Sequence, residues 1–129
     1  MLLVKTRIGQ STIEGIGLFA DEFIPKGTVI WELTKGIDQL FDQGTMEVLK
    51  KARGFDSVGK YLFKSKVSGS YILCADDARF MNHTKYANTY SGPEDDAPTI
   101  ALRDIHPGEE ITCDYSTFDD NFETYTFTK

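Results

Sequence analysis

Cysteine is scarce in this 129-residue chain, and its scarcity excludes two classes of protein. The two cysteines, Cys74 and Cys113, form no Cys-x-x-Cys pair, and the only histidines are His83 and His106. This set is too small for a disulfide framework and is unsuited to a structural zinc site. We therefore predict two reduced thiols, a cytoplasmic protein and no bound metal.

Long apolar runs are also missing. No apolar segment approaches the roughly 20 residues that cross a bilayer, and the N-terminus lacks the layout of a signal peptide. Apolar residues still make up 40% of the chain and include 9 Phe, 6 Tyr and 1 Trp, which argues against disorder. The length predicts a single domain over residues 1–129, without membrane contact.

Basic residues are rare in the second half of the chain. Residues 1–69 carry ten Lys/Arg against eight Asp/Glu, a balance of +2, whereas residues 70–129 carry four against twelve, a balance of −8. An acidic surface repels nucleic acid and attracts basic partners, although it also serves solubility alone. We predict a basic protein or peptide as partner and no direct contact with nucleic acid.

The local sequence pattern predicts a mostly β domain. Short runs of β-branched and aromatic residues alternate with glycine and proline turns, which is typical of strands. The predicted strands cover residues 2–8, 18–20, 28–33, 61–63, 70–74, 99–102 and 111–115. One short helix is predicted in the middle, capped by Thr45 and ending at Gly54.

A glycine turn, Gly15-Ile16-Gly17, precedes one of these strands. Glycine lets the backbone approach a ligand closely, and any tight turn uses it for the same conformational freedom. A dinucleotide-binding fingerprint is excluded because the third glycine and the long following helix are absent.

Two further segments carry the most specific signal. Arg-Phe-Met-Asn-His-Thr-Lys-Tyr-Ala-Asn occupies residues 79–88, and Gly-Glu-Glu-Ile-Thr-Cys-Asp-Tyr occupies residues 108–115. The glycine turn comes first in the chain, Tyr61-Leu62-Phe63 follows, and the two segments come last. This order of motifs resembles that of the SET-domain lysine methyltransferases. Thr84, Ala87 and Cys113 depart from the family pattern, which has Ser, Pro and an aromatic residue there.

The resemblance implies a fold of several small curved sheets with a knot-like crossing of the two signature segments. It also implies a protein-lysine N-methyltransferase that uses S-adenosyl-L-methionine. Larger members bind zinc through a cysteine cluster after the final tyrosine, which this sequence lacks. The chain therefore resembles the minimal, single-domain members of bacteria and viruses, in which a second copy could complete the site as a homodimer.

The resemblance assigns roles to individual residues. Tyr115 is the expected catalytic residue, and Tyr61 and Cys113 are expected to form the lysine channel with it. Asn82 and His83 have an alternative role as a hydrogen-bonded brace. The alternative role of Phe118 is to seal the core together with the other aromatic residues of the tail. The expected cofactor-binding residues are Gly15, Ile16, Gly17, Asn82, His83, Tyr115 and Phe118.

Two other functions are compatible with the sequence. One is a catalytically silent SET-fold module that binds basic peptides, although the joint presence of Asn82, His83 and Tyr115 argues against it. The other is methylation of a small amine or of a side chain other than lysine.

Overall fold

A computed structural model describes residues 1–121, and short strands account for most of their regular structure. The strands are β1 (Thr6–Gln10), β2 (Ile16–Ala20), β3 (Val29–Trp31), β4 (Gln39–Phe41), β5 (Phe63–Lys64), β6 (Tyr71–Leu73), β7 (Asn82–His83), β8 (Thr89–Ser91), β9 (Thr99–Ala101) and β10 (Glu110–Cys113). The helices are α1 (Gln43–Leu49) and α2 (Asp56–Gly59), and 3-10 turns lie at Asp77–Phe80 and Tyr115–Thr117. The predicted mostly β domain with few short helices is confirmed.

The strands form three small sheets. One has four strands in the order β1-β2-β10-β7, and the other two have three strands each, β3-β9-β8 and β4-β6-β5. Within them β7 pairs with β10 in parallel, whereas the other neighbours are antiparallel. The parallel pair places the two signature segments of the sequence side by side.

The main hydrophobic core lies against the four-stranded sheet. Its buried residues are Leu18, Ala20, Ile24, Ile30, Met81, Ala101, Ile105, Ile111 and Cys113. Tyr115 and Phe118 are only partly buried and pack against this core. Burial of each large aliphatic side chain stabilises the fold by about 1.5–3 kcal/mol. The two aromatic side chains therefore pack against a stable core.

The start of α1 differs from the prediction. Asp42, and not Thr45, is the N-cap, since its Oδ1 accepts a hydrogen bond of 2.7 Å from the Thr45 backbone N–H. This bond lowers the pKa of the Asp42 carboxyl. The helix ends at Leu49, before the predicted stop at Gly54.

No helix of residues 1–121 is long and apolar enough to traverse a bilayer.

Asn88 ties the end of the first signature segment to the second. The side chain is buried, and its Nδ2 donates to the Glu110 carbonyl at 2.8 Å while its Oδ1 accepts from the Thr112 N–H at 2.9 Å. In the other direction the Asn88 N–H donates to Thr112 Oγ1 at 3.2 Å. The amide thus bonds two backbone groups of β10 in addition to the pairing of this strand with β2 and β7.

We predict that Asn88→Ala destabilises the fold. The substitution leaves the Glu110 carbonyl and the Thr112 N–H without their partner, and each buried unpaired group costs roughly 1–3 kcal/mol. Thermal and urea unfolding should register the loss. Gln43→Ala removes an exposed amide from α1 and serves as the control, with an expected change within about 0.5 kcal/mol. Equal stabilities of the two variants would contradict the role of Asn88.

Candidate functional site

A cleft of about 710 Å³ opens beside the paired signature segments. Its volume is within the range of pockets that bind small molecules. The wall includes Glu14, Gly15, Ile16, Trp31, Lys60, Tyr61, Phe63, Cys74, Arg79, Phe80, Met81, Asn82, Glu94, Asp95, Thr99, Cys113, Tyr115, Phe118 and Asp119. The structure therefore brings the glycine turn, the Tyr61 segment and both signature segments to one place.

Asn82 faces the cleft with a defined amide orientation. Its Nδ2 lies 3.0 Å from the Glu14 carbonyl oxygen, 3.3 Å from the Ile16 carbonyl oxygen and 2.9 Å from Glu110 Oε2. Three oxygen acceptors identify this atom as the nitrogen, since an oxygen there would be repelled by all of them. Within residues 1–121 no hydrogen bond reaches Asn82 Oδ1, so the amide oxygen is the group that a ligand can use.

The two glycines of the turn have different roles. Gly15 has a φ of +48°, in the left-handed region that favours glycine, and it lines the cleft together with Ile16. Gly17 lies outside the cleft wall formed by residues 1–121. A Cβ at Gly17 would overlap the carboxylate of Glu110, so the second glycine makes room for that side chain.

His83 is positioned as a brace. It is 8% exposed and lies opposite Cys113 in the β7–β10 pair. Its Nδ1 accepts a hydrogen bond of 3.0 Å from the Tyr115 backbone N–H, and the two rings are 5.2 Å apart. Within residues 1–121 the cleft wall does not include His83, so its predicted contact with a cofactor stays a prediction.

Tyr115 begins the 3-10 turn two residues after β10 and lines the cleft. Its hydroxyl donates a hydrogen bond of 2.6 Å to the Met81 carbonyl. The hydroxyl proton is therefore directed at the backbone. The two signature segments thus fix both the position of this hydroxyl and its direction.

Tyr61 lies in the cleft wall between cationic side chains. Its ring meets Phe80 edge-on at 5.5 Å, and the Arg79 guanidinium and the Lys60 ammonium lie 5.4 and 5.2 Å from the ring centroid. Cations over the face of an aromatic ring are attracted by its quadrupole. Neither cation was assigned a role from the sequence. Lys60 directly precedes Tyr61 in the chain, whereas the fold brings Arg79 to this ring.

Phe118 joins the cleft through aromatic contacts. Its ring is 5.1 Å from Phe63 and 5.9 Å from Tyr115, with edge-on geometry in both pairs. The segment is held by Asp119, which is buried and accepts from the Lys64 N–H at 3.1 Å. The other tail aromatics, Phe122, Tyr125 and Phe127, lie outside the described residues.

The two cysteines are part of the cleft wall. Cys74 is 9% exposed and Cys113 is 4% exposed. Burial raises the pKa of Cys74 to about 12, and burial also raises the pKa of the Cys113 thiol. Because only the thiolate is strongly nucleophilic, neither residue is suited to be a nucleophile.

Two buried polar atoms lack a partner in the part of the chain that the structure describes. They are Trp31 Nε1 and Asp95 Oδ1, and both residues line the cleft. A buried polar atom without a hydrogen bond is costly and is commonly satisfied by a ligand or an ordered water. Neither residue was assigned a role from the sequence, because a tryptophan in a strand and an acid in a turn are ordinary there.

Known structures share this architecture. The Polycomb Repressive Complex 2 of Chaetomium thermophilum matches with a TM-score of 0.70 and 25% identity when bound to the inhibitor GSK126, over 94% of this chain and 17% of the other. The same complex bound to S-adenosylmethionine gives 0.66 and 26%, over 94% and 16%. This chain thus spans about a sixth of the length of the complex chains it matches.

A smaller protein matches over nearly its full length. It is a Plasmodium falciparum protein provisionally assigned as a histone methyltransferase, with a TM-score of 0.61 and 20% identity over 88% of this chain and 95% of the other. At that identity the likeness concerns the fold. A family model of the SET domain matches residues 15–116, which contain the glycine turn and both signature segments. The chain therefore belongs to the SET-domain family.

Proposed function

We propose that this protein transfers methyl groups from S-adenosyl-L-methionine to the side-chain amine of lysine in a basic protein. The observation that supports the proposal is the shared cleft, which Asn82 and Tyr115 both line, with Asn82 Oδ1 available to a ligand and the Tyr115 hydroxyl held in place by the Met81 carbonyl. When bound, the cofactor supplies a methyl group on a positively charged sulfur. Methyl transfer is an in-line displacement, so the protein contributes alignment and exclusion of water and needs no nucleophile of its own.

Several residues of the cleft wall fit the cofactor. Gly15 and Ile16 line the cleft, and Asn82 Oδ1 can accept from an ammonium or hydroxyl group of the ligand. The unpartnered Trp31 Nε1 and Asp95 Oδ1 add a donor and an acceptor to the same wall. Phe118 offers a ring on which an adenine could stack, and this contact is part of the proposal.

The substrate amine must lose a proton before it reacts. A lysine pKa of about 10.4 makes the neutral form cost roughly 4 kcal/mol near pH 7.4. A narrow aromatic channel lowers this cost by desolvation, and the Arg79 and Lys60 charges near Tyr61 disfavour a second ammonium there. The Tyr115 oxygen can then accept from the remaining amine N–H groups and direct the lone pair towards the methyl group.

A catalytically silent module that binds basic peptides is the competing function. It would use the acidic wall residues Glu14, Glu94, Asp95 and Asp119 but has no need for the Asn82 and Tyr115 geometry.

Calorimetry with S-adenosyl-L-methionine separates the two functions, since only the enzyme must bind it. Incubation of a cell lysate with methyl-labelled cofactor, followed by mass spectrometry, identifies the substrate. The proposal fails if neither binding nor lysine labelling is found.

We predict that Tyr115→Phe lowers turnover by at least about tenfold and leaves cofactor affinity within about threefold. The ring stays, whereas the acceptor oxygen and its bond to the Met81 carbonyl are lost. Single-turnover rates and cofactor calorimetry should be measured together, with thermal unfolding to verify the fold. A folded variant with the natural rate would remove Tyr115 from the chemistry.

We also predict transfer beyond one methyl group. Cys113 is small and buried at a position of the cleft where the family usually has an aromatic ring. Tyr90 or an aromatic residue of the tail is the alternative filler of this volume, and Tyr90 is 47% exposed and lies outside the cleft wall formed by residues 1–121. Cys113→Tyr should therefore restrict the product to monomethyllysine. Mass spectrometry at long reaction times tests this, and a natural enzyme that stops at one methyl group would contradict it.

A further inference from the structure

Glu110 connects the glycine turn to Asn82. Its Oε2 accepts from Asn82 Nδ2 at 2.9 Å, and its two carboxylate oxygens accept from Ser11 Oγ at 2.8 and 2.9 Å. Ser11 Oγ in turn accepts from the backbone N–H groups of Ile13 and Glu14 at 2.9 and 3.3 Å. One carboxylate thus holds both the loop before the turn and the amide that faces the cleft.

The negative charge of Glu110 gives the Asn82 amide a single orientation. If the amide were reversed, its oxygen would lie about where Nδ2 now lies, against the carboxylate and two backbone carbonyl oxygens. That arrangement is repulsive, so Asn82 Oδ1 is held away from Glu110 and available to a ligand. Hydrogen bonds to a charged group are also about twice as strong as neutral ones, which strengthens the constraint.

Gly17 leaves the space that the Glu110 carboxylate occupies in this arrangement. The space of a Cβ at Gly17 is taken by the Glu110 carboxylate, with the Ser11 side chain 3.1 Å away. A larger residue at this position would push Glu110 away from Asn82 without itself entering the cleft. The need for glycine here is therefore explained by a contact within the protein.

We propose that Glu110 is a positioning residue for the cofactor, acting through the amide of Asn82. The inference rests on the proposed function, because it takes the ligand of Asn82 Oδ1 to be the ammonium of S-adenosyl-L-methionine. Glu110 contributes binding energy by keeping an acceptor oriented before the ligand arrives, and it makes no contact with the reacting atoms. Preorganisation of this kind lowers the cost of ordering the site on binding.

A double-mutant cycle on cofactor affinity tests the proposal. Glu110→Ala is expected to raise the Kd of S-adenosyl-L-methionine about tenfold. Glu110→Gln should raise this Kd by a smaller factor. Gly17→Ala should raise it by a factor similar to that of Glu110→Ala, because the added Cβ displaces the carboxylate. In an Asn82→Ala background, Glu110→Ala should add no more than about twofold, because the amide through which it acts is gone. Glu109→Ala is the matched control, since Glu109 accepts from the His106 N–H at 2.9 Å and its loss should change the Kd by less than about twofold.

A second ligand distinguishes positioning from a general structural role. 5′-Methylthioadenosine lacks the amino-acid part of the cofactor, so its Kd should change by less than about twofold in Glu110→Ala. Thermal unfolding verifies each variant, and Glu110→Gln and Gly17→Ala replace Glu110→Ala in the measurement if that variant does not fold. Additive losses in the cycle, equal losses for both ligands or unchanged affinity would overturn this inference alone. Failure of the natural protein to bind S-adenosyl-L-methionine would overturn the proposed function as well.

Discussion

The pairing of β7 with β10 is the interaction on which the site depends. Thr112 lies opposite Asn82, and Cys113 lies opposite His83. Such a short parallel ladder is not stable on its own, and the buried amide of Asn88 adds hydrogen bonds to the backbone of β10. Because this pair holds together, residues far apart in the chain reach the same cleft with defined directions.

Two of the signature residues, Asn82 and Tyr115, make structural hydrogen bonds and also line the cleft. Asn82 uses Nδ2 to hold the glycine turn and leaves Oδ1 open to the cleft. Tyr115 directs its hydroxyl proton at the Met81 carbonyl and lines the same cleft. His83 holds the Tyr115 backbone through Nδ1. A brace and a binding role are therefore compatible, and a substitution at these positions affects both.

Local patterns were sufficient for some elements and not for others. The predicted strand at 111–115 overlaps β10, because its β-branched residues favour a strand whatever its partner. β7 is Asn-His, which has little strand preference, and it exists only because β10 lies beside it. The role of Glu110 was equally inaccessible, since its partners Ser11 and Asn82 are 99 and 28 residues away in the chain. Motif order predicted the site, whereas long-range contacts determine its geometry.

The charges of the cleft suit an amine that arrives as a cation and reacts as a neutral base. Glu94 is exposed and lines the cleft, so it can attract an ammonium group from solvent. Burial keeps the wall residues Cys74 and Cys113 protonated, and the carboxylate of Asp119 is already engaged by backbone N–H groups. Under the proposed function, a lysine that enters the cleft loses solvation, and this loss lowers its pKa. The exposed carboxylate of Glu94 then recruits the substrate, and desolvation favours its deprotonation.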